Sequence, residues 1–353
     1  MPGLLTPARL RQGFALFVLI SLVAYAAVLL YGHDTHGFIA SLSRLRWRWV
    51  VVGVGLASLD WFGGGLRLWV LAREVHPRPP LRGMIIAGGM GAWGSYVTPG
   101  QAGASPIMVY AMKRVGLPVP KAMTTTLMSF IATVAFFAIA GRVALFLGAG
   151  ESLAKYGDLL GLNLLDLFKW SNLAFAVLGG LLLLVMLAPK LVSAAVHWLA
   201  TALGRRSRRV AARLDALRAG IDQAHDSMRV FNSPRGWLAL FWAVLLSGPS
   251  HANKLFAGYV ALRAIGIHAQ FFDILLLQTF ITSALYFAPT PGGSGFAEAL
   301  SLAVMAPYLP RELTPIYILV WRCMLTWFTI GAGFVVFSVW VRRGLKAIEV
   351  PDL

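Results

Sequence analysis

The strongest constraint on this chain is a short sequence that occurs twice. Residues 98–103 read Thr-Pro-Gly-Gln-Ala-Gly, and residues 290–295 read Thr-Pro-Gly-Gly-Ser-Gly. Each copy interrupts an apolar run, because proline lacks a backbone donor and disfavours helix in the residue before it, while glycine permits tight bends. Irregular backbone at membrane depth is tolerated only where it is buried in protein or lines a wet cavity. We therefore expect a first break (residues 98–103) and a second break (residues 290–295) that border a cavity.

Composition places these breaks in a membrane. The chain has 353 residues, of which 58% are hydrophobic and 13% charged, with a mean hydropathy of +0.72. Several apolar runs approach the ~20 residues that cross a bilayer, so the sequence predicts an all-α polytopic membrane protein. The net charge of +17 would suggest a nucleic-acid partner in a soluble protein. Here it is assigned to loops that face anionic lipid, and no nucleic acid is expected.

Hydropathy predicts six spans and two re-entrant hairpins. The spans lie at about residues 14–31, 49–71, 122–147, 172–188, 237–262 and 315–341. Residues 84–112 and 271–306 each carry a break between arms that are too short for both to cross ~30 Å at 1.5 Å per residue. A hairpin that enters and leaves on one side fits these arms better, although reading the arms as full spans, ten helices in all, keeps the same parity.

The two halves of the chain align as a repeat. A shift of 192 residues places Thr98 on Thr290 and Gly103 on Gly295. We treat residues 1–353 as a single membrane domain, with a first repeat at 49–147 and a second at 237–341. With the chosen topology the repeats are inverted, which is typical of secondary transporters whose broken elements meet near the midplane. The alternative is a pair of ordinary Pro-Gly kinks.

Charge orients the chain. With both termini in the cytoplasm, most of the 31 lysines and arginines fall on the inner side of a cell (inner) membrane. Residues 189–236 are then a cytoplasmic basic linker, whose apolar residues recur at helical spacing. We interpret it as an amphipathic helix on the leaflet surface, with a helix packed on the protein itself as the alternative.

Five ionisable residues lie at predicted membrane depth, namely Asp60, Arg67, Lys254, Glu298 and Arg322. Each costs about 2.5–3.5 kcal/mol on the insertion scale and usually faces a cavity or a partner. Arginine offers a planar fork to a lipid phosphate, so Arg67, Lys254 and Arg322 are candidates to hold an anionic headgroup. Glu298 and Asp60 would balance them or bind a substrate amine. The alternative is a set of buried ion pairs that only position helices.

The breaks themselves are candidate substrate-binding elements, since half-helix N-termini present N–H groups to anions. The candidate residues are Thr98, Gly100, Gly103, Thr290, Gly292, Gly293 and Gly295. Tyr96 and Tyr286 are candidates to line the same cavity, and His251 is interpreted as structural. His33 and His36 lack partners and Cys323 is the single cysteine, so we expect no metal and no cofactor. No catalytic constellation is recognisable.

The motifs resemble a known family. The run Tyr-Val-Thr-Pro-Gly-Gln-Ala-Gly from Tyr96, the later Lys113-Arg114 pair, and the run Pro-Thr-Pro-Gly-Gly-Ser-Gly-Phe-Ala-Glu ending at Glu298 resemble the lysylphosphatidylglycerol synthase transmembrane (flippase-like, uncharacterised 0104) family. The resemblance covers about residues 47–340. One departure is Ser105-Pro106, where members often carry an acidic residue.

The resemblance implies movement of lipids between leaflets. In fused members this module is similar to the part that translocates aminoacylated phosphatidylglycerol. We therefore expect a translocase for an anionic or aminoacylated phospholipid or a lipid-linked substrate. The alternatives are an intramembrane enzyme or accessory subunit of lipid or glycolipid synthesis, and a small-anion carrier. The chain ends at Leu353, so no soluble aminoacyltransferase domain and no enzyme activity are expected. Membrane lipids are the expected partners, and a homo-oligomer is compatible with the sequence.

Overall fold

The computed structural model describes residues 45–149, 162–188 and 228–349, the last nine of these for backbone alone, with isolated residues elsewhere. The predicted first span at residues 14–31 and most of the linker at 189–236 lie outside these ranges. The regular structure of the described part is helical except for two antiparallel strands of two residues each, β1 (Asp158–Leu159) and β2 (Leu162–Asn163).

The helices are α1 (Trp47–Val75), α2 (Leu81–Tyr96), α3 (Ala104–Arg114), α4 (Val119–Ala144), α5 (Leu164–Leu187), α6 (Pro234–Ser250), α7 (Ala252–Ala264), α8 (Phe271–Leu285), α9 (Phe296–Met305), α10 (Thr314–Arg322) and α11 (Phe328–Glu349). One π-type turn, Leu145–Ala149, extends α4, and another, Cys323–Trp327, joins α10 to α11.

Helices long and apolar enough to cross a membrane are present at four places in the described part of the chain. They run over Trp47–Val75, Val119–Ala149, Leu164–Leu187 and Arg311–Trp340. These ranges confirm four of the predicted spans, with one start moved by eight residues and the other boundaries by four or fewer, and they establish a multi-pass membrane protein.

The predicted span at residues 237–262 differs, because the structure divides it into α6 and α7 at His251. Pro249 has no N–H, so the helical ladder loses one bond just before the break. The His251 N–H is shared between the carbonyls of Ser247 and Gly248, and the His251 carbonyl then starts α7 by accepting from Lys254. The prediction of one continuous helix was wrong here.

Helix α1 is the centre of the assembly, and glycines let its neighbours approach closely. A Cβ on Gly63 would lie 2.7 Å from the Ser250 nitrogen at the end of α6. A Cβ on Gly65 would lie 2.2 Å from Ile85 Cα in α2. Such contacts of backbone with backbone are the usual way in which small residues pack membrane helices. Helix α1 is therefore held between α2 on one side and α6 with α7 on the other.

Helices α2 and α3 pack against each other on either side of the first break. Small residues of α2 carry the contact, since a Cβ on Gly91 would meet the Met108 side chain at 2.5 Å and one on Gly83 would meet Val115 at 2.8 Å. Within the break, Thr98 Oγ1 donates to the Gly94 carbonyl at 2.7 Å and accepts from the Gly103 N–H at 2.8 Å. One threonine side chain thus ties the two helices together.

Helices α7 to α10 surround the second break with a separate apolar core. Its fully buried members include Phe280, Tyr317 and Trp321, and the Trp321 Nε1–H donates to Gln278 Oε1 at 3.0 Å. The turns of the two breaks, Pro99–Gln101 and Pro291–Gly293, contact each other. The two interruptions of helical structure therefore meet inside the protein.

The described end of the linker packs on the protein. Met228 and Phe231 are fully buried in a cluster with Leu71 of α1 and Met128 of α4. Met228 is the last residue of the apolar stripe on which the amphipathic helix was predicted, and its burial fixes only this end of the linker. The rest of the linker lies outside the described residues.

Candidate functional site

A cavity of about 290 Å³ lies where the two breaks meet α1, α4 and the α6–α7 junction. Its wall combines charged groups, hydroxyls and glycine backbone within an otherwise apolar chain. The charged residues that line it are Asp60, Arg67 and Lys254. Three of the five ionisable residues singled out from the sequence are therefore brought together.

Asp60 and Lys254 form an ion pair across the α1–α7 contact. Lys254 Nζ lies 3.5 Å from Asp60 Oδ1, and the Tyr96 hydroxyl donates to Asp60 Oδ2 at 3.1 Å. The same ammonium lies 5.6 Å from the centroid of the Tyr96 ring. Both oxygens of this carboxylate thus have a partner, and Lys254 is held by a carboxylate and an aromatic face.

Arg67 is buried without a carboxylate partner among the described residues. Its side chain is 8% exposed, and its Nη1 donates to Thr133 Oγ1 at 2.8 Å and to Ser247 Oγ at 3.1 Å. Its Nε has no partner in the described structure. A buried charge with only neutral hydroxyl partners is an expensive arrangement, and it offers a donor to an incoming anion.

Arg322 and Glu298 lie beside the cavity rather than in its wall. Arg322 Nε donates to Glu298 Oε1 at 2.7 Å and Nη2 to Oε2 at 2.8 Å, and both side chains are almost fully buried. The other side-chain hydrogen bonds of this pair go to the second break. Arg322 Nη1 donates to the Gly292 carbonyl at 2.9 Å, and Glu298 Oε2 accepts from the Gly295 N–H at 2.8 Å. The pair fixes the shape of the second break.

The break residues divide between lining and supporting positions. Those that line the cavity are Gly100, Thr290, Gly292 and Gly293, whereas Thr98, Gly103 and Gly295 lie outside its wall. Gly100 and Gly292 have φ of 56° and 58°, a left-handed conformation that glycine adopts without strain. The two Pro-Gly turns therefore reach the cavity with their glycine backbone.

His251, interpreted from the sequence as structural, lines the cavity with Tyr286. Its Nδ1 lies 2.7 Å from the Ser247 carbonyl and its Nε2 lies 2.5 Å from the Tyr286 hydroxyl. A neutral imidazole satisfies both contacts, since Nδ1–H donates to the carbonyl and Nε2 accepts from the phenol. In the sequence, only the nearby Pro249 indicated that the helix breaks at His251 and that this side chain faces the cavity.

The arrangement favours an anion. With His251 neutral, the described residues of the wall carry two cations, Arg67 and Lys254, against the single carboxylate of Asp60. Among the described residues no group of three or more His, Cys, Asp or Glu side chains has the geometry to hold a metal ion. His33 and His36 lie outside the described residues.

Comparison with known proteins identifies the family. Residues 13–333 match the family described as "Lysylphosphatidylglycerol synthase TM region". No curated protein matches the chain. The family match covers both breaks, every residue of the cavity wall and all helices from α1 to α10. The resemblance seen in the sequence motifs is thereby confirmed, and the chain belongs to the lysylphosphatidylglycerol synthase transmembrane-region family.

Proposed function

We propose that this protein is a lipid translocase that passes an anionic headgroup between leaflets through the cavity. The observation that carries the proposal is Arg67, which is buried in a polar cavity and has only hydroxyl partners among the described residues. A phosphate that leaves water needs charge-assisted donors, and a guanidinium supplies them in a planar fork. The family assignment agrees with a role in membrane lipid chemistry.

The proposal includes an inverted pair of re-entrant hairpins. One piece of support is that Gly83 in the first turn of α2 meets Val115 at the end of α3, while the Pro79 carbonyl just before α2 accepts from Trp69 near the C-terminal end of α1. Helix α8 starts at the other end, where the Tyr259 ring contacts both Trp49 of α1 and Phe271 of α8. Hairpins that enter from opposite ends of α1 and touch at their breaks have the geometry of inverted-repeat transporters.

This topology is tested by labelling single cysteines in a Cys323→Ser background. If both termini lie on the cytoplasmic side of the cell (inner) membrane, Lys113→Cys lies on the cytoplasmic side and Arg311→Cys on the outer side. We expect an impermeant maleimide added to intact cells to label position 311, and position 113 only after permeabilisation. Both native side chains are exposed, so access is not limited by burial. Labelling of both from the outside would contradict the inverted hairpins.

Translocation is tested in liposomes that contain a trace of fluorescent phosphatidylglycerol, with dithionite to bleach the outer leaflet. The wild type should expose most of the inner-leaflet label. Arg67→Gln should slow exchange about tenfold or more, because a hydrogen bond to a charged group contributes ~1.5–3 kcal/mol. Arg142→Gln is the matched control, since Arg142 lies exposed on α4 outside the cavity wall.

Two outcomes would favour the alternatives. A protein that releases trapped phosphate but leaves the lipid label in place would be a small-anion carrier. A folded wild type could also move neither phosphate nor the lipid label. If Arg67→Gln then abolished the conversion of a lipid substrate in the cell's membranes, the protein would be an intramembrane enzyme or an accessory subunit of one.

A further inference from the structure

We infer that the headgroup accepted by this cavity is a monoanionic phosphodiester that carries hydroxyls and lacks an amine, such as a glycerol or inositol phosphodiester. The inference rests on the proposed function for its transport aspect, but the binding preference can be measured without transport. It deepens the proposal, because the sequence had left an amine-bearing substrate open.

Charge sets the first limit. Among the described residues, the cavity wall has the cations Arg67 and Lys254 and one carboxylate, Asp60, so one positive charge is unbalanced. A headgroup with net charge −1 neutralises it. A zwitterionic headgroup leaves the excess in place, and each additional ammonium increases it inside a low-dielectric site.

The carboxylates set the second limit. An ammonium needs acceptors, and Asp60 is the only acidic residue in the described wall. Its Oδ1 pairs with Lys254 and its Oδ2 accepts from Tyr96. Glu298 lies outside the wall, with its oxygens bonded to Arg322 and the Gly295 N–H. A substrate amine would therefore find no acidic side chain in the described wall that is not already paired with a cation.

Unsatisfied donors set the third limit. Arg67 Nε and Thr126 Oγ1 are buried in the wall and have no partner in the described structure. Further hydroxyls line the same space, including those of Ser129, Thr282 and Thr290. A guanidinium N–H can donate to a phosphate oxygen, whereas hydroxyls can both donate to and accept from the hydroxyls of a polyol.

Size sets the fourth limit. A volume of about 290 Å³ lies at the lower end of the ~300–1,000 Å³ typical of small-molecule pockets. It holds a headgroup, so the acyl chains would remain in the surrounding bilayer. Recognition therefore depends on the headgroup, and lipids that differ only there are the appropriate probes.

The binding test uses purified protein in detergent with short-chain lipids. We expect dihexanoyl phosphatidylglycerol to bind at least about fivefold more tightly than dihexanoyl phosphatidylethanolamine, measured by the ligand-dependent rise in the unfolding temperature. Thr126→Val should weaken phosphatidylglycerol binding about two- to tenfold, the effect of one neutral hydrogen bond. Thr329→Val is the matched control, because Thr329 Oγ1 is also buried without a partner but lies outside the cavity wall.

The exchange test compares fluorescent phosphatidylglycerol, phosphatidylinositol and phosphatidylethanolamine in the same liposomes. We expect one or both hydroxylated lipids to exchange at least about fivefold faster than phosphatidylethanolamine, and the better of the two identifies glycerol or inositol as the source. A binding preference without exchange of any lipid would support the headgroup class and defeat the translocase. Exchange of all three at one rate, with equal binding, would leave the translocase standing and overturn the headgroup class.

Discussion

Arg322→Met is expected to lower the yield of folded protein severely. The substitution leaves the Glu298 carboxylate almost fully buried, with the Gly295 N–H as its remaining charge-stabilising partner. Breaking a buried ion pair by removing one partner costs about 3–5 kcal/mol, because the other charge stays desolvated. The measurement is the yield of monodisperse protein by size-exclusion chromatography together with its unfolding temperature. Arg142→Met, at an exposed position of α4, is the control.

The double variant Arg322→Met/Glu298→Gln should recover most of that loss, because it removes both charges while the introduced amide oxygen can still accept from the Gly295 N–H. It should also retain lipid exchange, at a reduced rate, since the Gly292 carbonyl loses its Arg322 donor. A folded double variant with no exchange at all would instead place this pair in the headgroup path. Equal stability of Arg322→Met, the double variant and the wild type would show that the pair contributes little.

Gly292→Leu and Gly100→Leu are each expected to lower the rate of lipid exchange at least about tenfold below that of the wild type. Both positions line the cavity in a left-handed conformation, which costs a non-glycine residue roughly 1–2 kcal/mol. The added side chain would also occupy the space assigned to the headgroup. Exchange of fluorescent phosphatidylglycerol measures the effect, and the unfolding temperature shows whether the protein remains folded.

Gly116→Leu separates strain from blockage. Gly116 lies in the turn between α3 and α4 with φ of 97° and nothing within 4 Å of a Cβ, and it is not part of the cavity wall. This variant carries the same kind of backbone strain without filling the cavity, so it should exchange lipid normally. Loss of exchange in Gly116→Leu as well would mean that strain alone explains the other two variants.

The long apolar helices and the two breaks could be predicted because their signals are local. Proline and glycine interrupt helix wherever they cluster, so the breaks at residues 98–103 and 290–295 were visible without any tertiary information. The α6–α7 break was not predicted. Its single proline lies inside a strongly apolar run, and membrane helices often tolerate proline when neighbours satisfy the freed groups.

Partner choice among the buried charges could not be predicted. Asp60 and Arg67 are seven residues apart on one helix, which suggests a shared face, but Asp60 pairs with Lys254 from α7. That choice depends on how closely α7 approaches α1. The distinction between Arg67, which borders the cavity, and Arg322, which braces the second break, likewise depends on packing that no local pattern encodes.

The Arg322–Glu298 pair has no counterpart at the first break. In the 192-residue register Glu298 falls on Pro106 and Arg322 on Phe130, and the first break is held by the two neutral hydrogen bonds of Thr98. Neutral bonds contribute about half as much as charged ones, so the two turns differ in stiffness. In a passive translocase, detailed balance prevents such a difference from setting the direction of net lipid flow. It instead makes passage past the stiffer turn the slow step for lipid that moves in either direction.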